Sequence, residues 1–268
     1  VPELPEVETV RRALSAPLEG KRLTDWTVRD ARLRWPVVLP DALRGCELTS
    51  LERVAKFLVF RFDGSAFLIA HLGMSGSFRL LEKPPPSAKH DHVDLVFDDV
   101  TLRYNDPRRF GSLHYHTGRL RSHFLLKRLG IDAIEDSLDG DYLHARSRGR
   151  SVSVKDFLMN GHVLAGVGNI YASEALFTAG IRPTTKAGRI SKARYAVLAD
   201  AVRCTLRDAI EQGGTTLRDF SSTDGKPGYF AQRLQVYGRE GEPCAKCGAG
   251  IRRLARGRST FYCAKCQR

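Results

Sequence analysis

The chain has 268 residues, 42% hydrophobic and 27% charged, which excludes wholesale disorder and collagen-like repeats and leaves room for one large core or several small ones. Lys and Arg number 43 against 30 Asp and Glu, a formal net charge of +13. That excess points to a polyanionic partner, nucleic acid above all. No apolar run exceeds the one from Ala66 to Ala70, so the sequence predicts no membrane span and no membrane partner. Its start lacks the basic and apolar regions of a signal peptide.

In chain order, residues 4–16 predict a helix. Leu4, Val7, Val10 and Leu14 share one face, Pro5 sits near the start, and Glu6 and Glu8 load the first turn. Residues 22–117 predict mostly strand. Phe57–Phe62 and Phe67–Leu72 flank Asp63-Gly64-Ser65, a hairpin signal, and Val93, Leu95 and Phe97 alternate with His92, Asp94 and Val96. Strands at this spacing suggest a sandwich or flattened barrel. The prolines at 84–86 mark a stiff surface connector. Beyond residue 120 the pattern turns helical. A helix covers 170–179 and stops at Gly180. A longer one is capped by Ser191, buries Tyr195, Leu198, Val202, Leu206 and Ile210, and ends at Gly213-Gly214. Residues 214–238 look irregular, with a turn at 224–228. The layout is α+β and multidomain: a β domain over 1–134, a helical domain over 135–230 and a zinc ribbon over 231–268.

Cys244, Cys247, Cys263 and Cys266 form two C-x2-C knuckles separated by 15 residues. Two such knuckles place four thiolates around one Zn²⁺, and a closed shell of four cysteines makes that metal structural. Two disulfides would use the same cysteines, but nothing in the sequence marks secretion. About thirty residues cannot build a self-sufficient core, so the metal supplies folding energy. Residues 239–268 carry eight Lys or Arg against two Glu, and the guanidiniums at the tip of the ribbon tilt it toward DNA or RNA. Cys46 and Cys204 stand alone and are expected to be buried free thiols.

Several further segments carry chemistry. An N-terminal Pro2 would offer a secondary amine with a pKa of roughly 7.7–8, able to attack a sugar carbon and form an iminium, with Glu3 and Glu6 as neighbouring acids or bases. The simpler reading is an acidic first turn facing a helix dipole. Gly166-Val167-Gly168-Asn169 opens a helix and could hold a phosphate or be only a tight turn. A Rossmann reading fails for want of a preceding parallel strand and a third glycine. Asp106-Pro107-Arg108-Arg109-Phe110-Gly111 sets two guanidiniums beside an aromatic, and Met74 sits on a Gly-rich loop; both suit insertion into DNA, and each alone would read as a surface turn. His90 and His92 fall on one strand face without a third metal ligand.

Together these segments resemble the formamidopyrimidine-DNA glycosylase family. The resemblance spans the chain and rests on residues 2–8, 71–76, 89–92, 106–111, 166–171, 235–238 and the four-cysteine ribbon. It implies an N-terminal β-sandwich led by the catalytic helix, a helix–two-turn–helix domain and a C-terminal four-cysteine zinc finger with one structural Zn²⁺. The implied enzyme is a bacterial DNA glycosylase and AP lyase of base excision repair. It would excise 8-oxoguanine and formamidopyrimidines from damaged double-stranded DNA, acting as a cytoplasmic, nucleoid-associated monomer. Pro2 would attack C1′ and form a Schiff base that undergoes β,δ-elimination. Glu3 would be the acid/base, Glu6 a supporting carboxylate, Lys56 the β-elimination proton donor and Arg258 the δ-elimination residue. His90, Arg109, Arg150, Lys155 and Asn169 would contact DNA. Met74, Arg108 and Phe110 would fill the gap left by the flipped nucleotide. Arg218 stands where the family leads one to expect Lys. Val1 would acylate Pro2 and is expected to be absent from the active protein. An endonuclease VIII-type glycosylase shares the Pro-Glu start and the finger, but Pro2–Pro5 and the Met74, Arg108 and Phe110 set favour the purine branch. A non-enzymatic zinc-ribbon binder would leave the N-terminal motif idle.

Overall fold

The computed structural model describes residues 2–135, 137–214, 233–255 and 257–268. It divides into two compact units, residues 1–127 with 213–229 and residues 128–212 with 230–268.

The first unit opens with helix α1, Leu4–Leu18, two residues longer at its C-terminal end than its periodicity predicted. Strands β1 (Leu23–Val28), β2 (Leu48–Val54), β3 (Phe57–Phe62), β4 (Ala66–His71), β5 (Ser77–Leu81), β6 (Asp91–Phe97), β7 (Val100–Asn105) and β8 (Ser112–Thr117) follow. They form two four-stranded antiparallel sheets, ordered β1-β6-β7-β5 and β2-β3-β4-β8. This is a sandwich, not a closed barrel. Its core joins Leu58, Phe60 and Leu68 to Phe78, Leu95 and Leu102, and α1 adds Val7, Val10, Leu14 and Leu18. The hairpin over 63–65 forms as expected, with Gly64 and Ser65 both in the left-handed region.

The polar residues of β6 do not face solvent as simple alternation would have them. Asp91, His92 and Asp94 are buried. Asp94 takes two 2.8 Å hydrogen bonds from Arg103 and one of 2.6 Å from Arg29. Burial pushes its carboxyl up, but the two guanidiniums outweigh that and leave it at about 2. His90 precedes the strand rather than sharing a face with His92.

The second unit holds β9 (Ile131–Asp132), α2 (Gly140–Ser147), α3 (Val154–Leu158), β10 (Leu164–Ala165), α4 (Asn169–Thr178), α5 (Lys192–Glu211), β11 (Arg252–Leu254) and β12 (Thr260–Tyr262). Ser191 caps α5 by accepting from the Arg194 N–H, and the expected apolar face is buried. A parallel pairing does precede the Gly166–Gly168 turn, contrary to expectation: β10 bonds to β9 over two residues. Two residues per strand are too few for a dinucleotide fold, so the Rossmann reading still fails. The lone thiols also depart from expectation. Cys46 is half-buried, with its thiol toward the Ala42 carbonyl at 3.2 Å, and Cys204 is exposed because it falls off the apolar face of α5. Among the described residues no helix is long and apolar enough to cross a membrane.

Candidate active site

Pro2 is buried immediately ahead of α1, and Glu3 is the residue that caps the helix. Glu3 and Glu6 are 3% and 2% exposed. They form a capping box in which the Glu3 N–H donates to Glu6 Oε2 at 2.8 Å. The left-handed Gly214, part of the same unit, lies against Glu6, and a Cβ there would stand 2.9 Å from Oε1. The positive φ of Gly214, 77°, is the backbone that favours glycine there. Two residues beyond Glu6, Glu8 binds Arg11, Arg12 and Arg53. Burial raises its carboxyl, but hydrogen bonds from Arg11 and Arg12 and the charge of Arg53 leave it below the usual range. Arg53 also donates to the Ala55 carbonyl at 3.0 Å. Ala55 and Lys56 are the two residues between β2 and β3, and Ala55 is left-handed. Glu8 therefore ties the helix that follows Pro2 to the hairpin that carries Lys56. The acidic first turn is more than a dipole partner.

Met74, Arg108 and Phe110 are brought together by Asp106, the head of the Arg108 motif, to which the sequence assigned no role. Asp106 is fully buried. It accepts from Ser75 Oγ at 2.7 Å, Gly111 N at 2.8 Å, Arg108 N at 3.2 Å and Tyr104 Oη at 3.3 Å. Gly73 packs so tightly on this loop that a Cβ would lie 2.4 Å from Gly111 N. The loop bearing Met74 and the loop bearing Arg108 are thus one rigid platform. Arg108 is exposed and stacks over Phe110, itself 47% exposed, at 5.2 Å. Arg109, also left-handed, is held by Asp30 at 2.7 Å. The Gly73 N–H donates to His71 Nδ1 at 3.0 Å. Burial, with the charges of Lys56 and Arg34, holds His71 down at about 4, so it accepts as a neutral ring. The Asp106 N–H donates to the His90 carbonyl at 3.1 Å, and the Asp106 carbonyl meets His92 Nε2 at 2.8 Å.

In the second unit Lys155 and Asn169 converge on one atom. Lys155 Nζ donates to the Ser259 carbonyl at 2.9 Å and to Thr260 Oγ1 at 2.8 Å. Asn169 Nδ2 donates to the same carbonyl at 3.0 Å. Arg258 is exposed next to them in sequence. Arg150 shares none of these partners; it folds back to the Arg146 carbonyl at 2.8 Å and stacks on Phe157. Glu174 of α4 is a second residue that sequence reasoning missed. Its carboxylate takes N–H groups from Gln235, Val236 and Tyr237 at 2.8–3.0 Å and so anchors the segment leading into the ribbon. Burial raises its pKa, opposed by those three bonds. Arg218 and the turn over 224–228 lie outside the described residues.

The four ribbon cysteines place their sulfurs within 4.8 Å of one another. Cys244 and Cys266 stand 3.9 Å apart, and Cys247 and Cys263 3.5 Å. Zn–S bonds of about 2.3 Å in a tetrahedron require S···S edges of about 3.8 Å, close to these two separations, so the four sulfurs suit one zinc ion. β11 and β12 pair across the ribbon, and Phe177, Val236, Ile251 and Phe261 pack beside the sulfurs. One structural zinc closes this shell.

Family models match along the chain. The formamidopyrimidine-DNA glycosylase N-terminal domain covers residues 1–113, the H2TH domain of the same enzyme 129–221, and a zinc finger found in FPG and IleRS 241–268. The chain is 56% identical to the formamidopyrimidine-DNA glycosylase of Alkalilimnicola ehrlichii and 52% identical to that of Burkholderia thailandensis, each over all of both chains. Among solved structures it resembles the Fpg (MutM) protein of Thermus thermophilus, with 39% identity, TM-score 0.89 and coverage of 99% and 98%. It also resembles Lactococcus lactis Fpg in complex with DNA containing an abasic site, with 32% identity, TM-score 0.92 and full coverage of both chains. With all three domain models in order and relatives matched end to end, the chain belongs to the formamidopyrimidine-DNA glycosylase family.

Proposed function

We propose that this chain excises oxidised purines from damaged duplex DNA and then cuts the strand as an AP lyase, with Pro2 as the nucleophile. The observation that carries this reading is the pair of buried carboxylates, Glu3 and Glu6, in the turn that directly follows Pro2. The Pro2 nitrogen uses its lone pair to bond C1′ and gives up its proton, while the base leaves with the electron pair of the broken glycosidic bond and takes up a proton. Glu3 moves the proton that opens the sugar, and Glu6 holds Glu3 through its N–H. The resulting iminium acidifies C2′. Loss of that proton expels the 3′ phosphate, and a second elimination expels the 5′ phosphate. Lys56 is the proton donor of the first elimination, and Arg258 serves the second. His90, Arg109, Arg150 and Asn169 contact the DNA, and Lys155, buried, holds the Ser259–Thr260 turn next to Arg258. Met74, Arg108 and Phe110 occupy the space of the extruded nucleotide, with Arg108 toward the orphaned base. The domain limits are 1–134, 135–230 and 231–268, and the protein works as a monomer in the cytoplasm, on the nucleoid.

Borohydride trapping on an 8-oxoguanine duplex tests this. The protein with a free Pro2 should form a covalent adduct. A form carrying an irremovable residue before Pro2 has an amide nitrogen there, and should bind the duplex but form no adduct. An adduct from the blocked form would move the nucleophile elsewhere. Preference for thymine glycol over 8-oxoguanine would reassign the substrate to oxidised pyrimidines.

A further inference from the structure

The turn before β12 is tied to α3 and α4 through hydrogen bonds within the second unit. Lys155 Nζ and Asn169 Nδ2 both donate to the Ser259 carbonyl. Thr260 Oγ1 accepts from Lys155 Nζ at 2.8 Å and donates to the Arg258 carbonyl at 3.3 Å. Lys155 is only 3% exposed, and an ammonium that deep is stable only where its donors are met. The left-handed Gly257 starts the turn, and Arg258 projects from it into solvent.

The main chain of Thr260 is set independently of its hydroxyl. It begins β12 and pairs with Leu254, while Phe261 and Tyr262 behind it are buried. Valine has the same shape and favours strands, so the ribbon can form without the hydroxyl. What that hydroxyl adds is a link. It gives Lys155 an acceptor and grips the carbonyl of the residue that serves the second elimination.

We infer that Thr260 is a positioning residue for strand cleavage: its hydroxyl bridges Lys155 Nζ and the Arg258 carbonyl, holding the two cations in one fixed arrangement. This deepens the proposed function and rests on the roles given there to Lys155 and Arg258. Without the bridge, Lys155 loses one of its acceptors in a buried setting and the Arg258 turn loses its tether. The step that depends on Arg258 then suffers more than attack by Pro2.

The test uses full-length protein on duplex DNA carrying a preformed abasic site, so that lyase chemistry is read apart from base excision. The readouts are zinc stoichiometry and the ratio of δ- to β-elimination products. T260V should keep its zinc and lower the δ-to-β ratio about tenfold, the effect of one charge-assisted hydrogen bond. T260S, which restores the hydroxyl, should recover the wild-type ratio; a merely structural role would not be rescued in this selective way. An unchanged ratio in T260V, or an equal fall in T260S, overturns the inference. Should T260V lose zinc, zinc-loaded T260A takes its place with the same fall in the ratio expected, and a wild-type ratio in T260A overturns the inference. If wild-type protein fails to cut abasic DNA at all, the proposed function falls. If it cuts and T260V is indistinguishable from it, only the role of Thr260 falls.

Discussion

Glu174 offers the sharpest stability test. Its two oxygens satisfy three backbone donors: Oε1 takes the Val236 and Tyr237 N–H groups and Oε2 takes that of Gln235. Replacing it with glutamine keeps one oxygen for Val236 and Tyr237 but turns an NH2 group toward the Gln235 N–H. One donor, the half-buried Gln235 N–H, is left facing another donor, a cost of about 1–3 kcal/mol at full burial and less here. Alanine orphans all three, for which the same figure sets a range of about 3–9 kcal/mol. Gln235 and Tyr237 are half-exposed and can turn to water, so the lower end of that range is expected for E174A. The damage should be local to the segment entering the ribbon. Denaturant unfolding of the zinc-loaded protein, with the rate of zinc release to a chelator as a second readout, should order the variants wild type, E174Q, E174A. If E174A matched wild type within about 0.5 kcal/mol, or if E174Q were the weaker of the two variants, the anchoring argument would be wrong.

Chelating zinc, or making C247S, should melt the ribbon and weaken DNA binding while the thermal transition of the first unit persists; intact binding without metal would refute the structural role. Arg108→Ala should blur discrimination of the base opposite the lesion, worth about 1–3 kcal/mol, whereas Arg109→Ala should weaken binding to all duplexes and lower the salt slope by about 1. Identical behaviour of the two would contradict the contrast between an exposed Arg108 side chain stacked on Phe110 and an Arg109 oriented by Asp30. Acid should destabilise the first unit. His71 and His123 are both held at about 4, below the ordinary 6.5, mainly by burial; nearby cations add to it for His71, and His114 and His116 for His123. The unfolded chain takes up those protons first, so stability is complete above pH 6.5 and falls as pH drops toward 4. For the deeply buried His71 the loss is at most about 3 kcal/mol. A stability profile flat between about pH 7 and pH 4.5 would refute this.

Much of this protein is legible without a structure, because its signals are local. Ser191 and the spacing of Tyr195, Leu198 and Val202 specify α5 within a few turns of chain. Two knuckles with two-residue gaps specify a metal shell, since each pre-positions half of the ligands. The strands around Asp63-Gly64-Ser65 specify a hairpin through three residues of turn chemistry.

What escapes are partnerships between residues far apart in the chain. Asp106 reads as a loop residue until Ser75, 31 positions earlier, is found bonded to it, and only then do Met74 and Phe110 belong to one platform. Glu174 reads as one polar position on an apolar helix until residues 235–237 arrive to use it. Lys155, given by the resemblance only as a DNA contact, turns inward to a turn 104 positions away. Cys204 looks like a buried thiol from its residue type, yet helical phase leaves it exposed. Periodicity and spacing report which face of an element is apolar. They cannot report which distant backbone group a buried polar side chain will satisfy, because that depends on how separate elements pack, and packing is decided by the whole core rather than by any one segment.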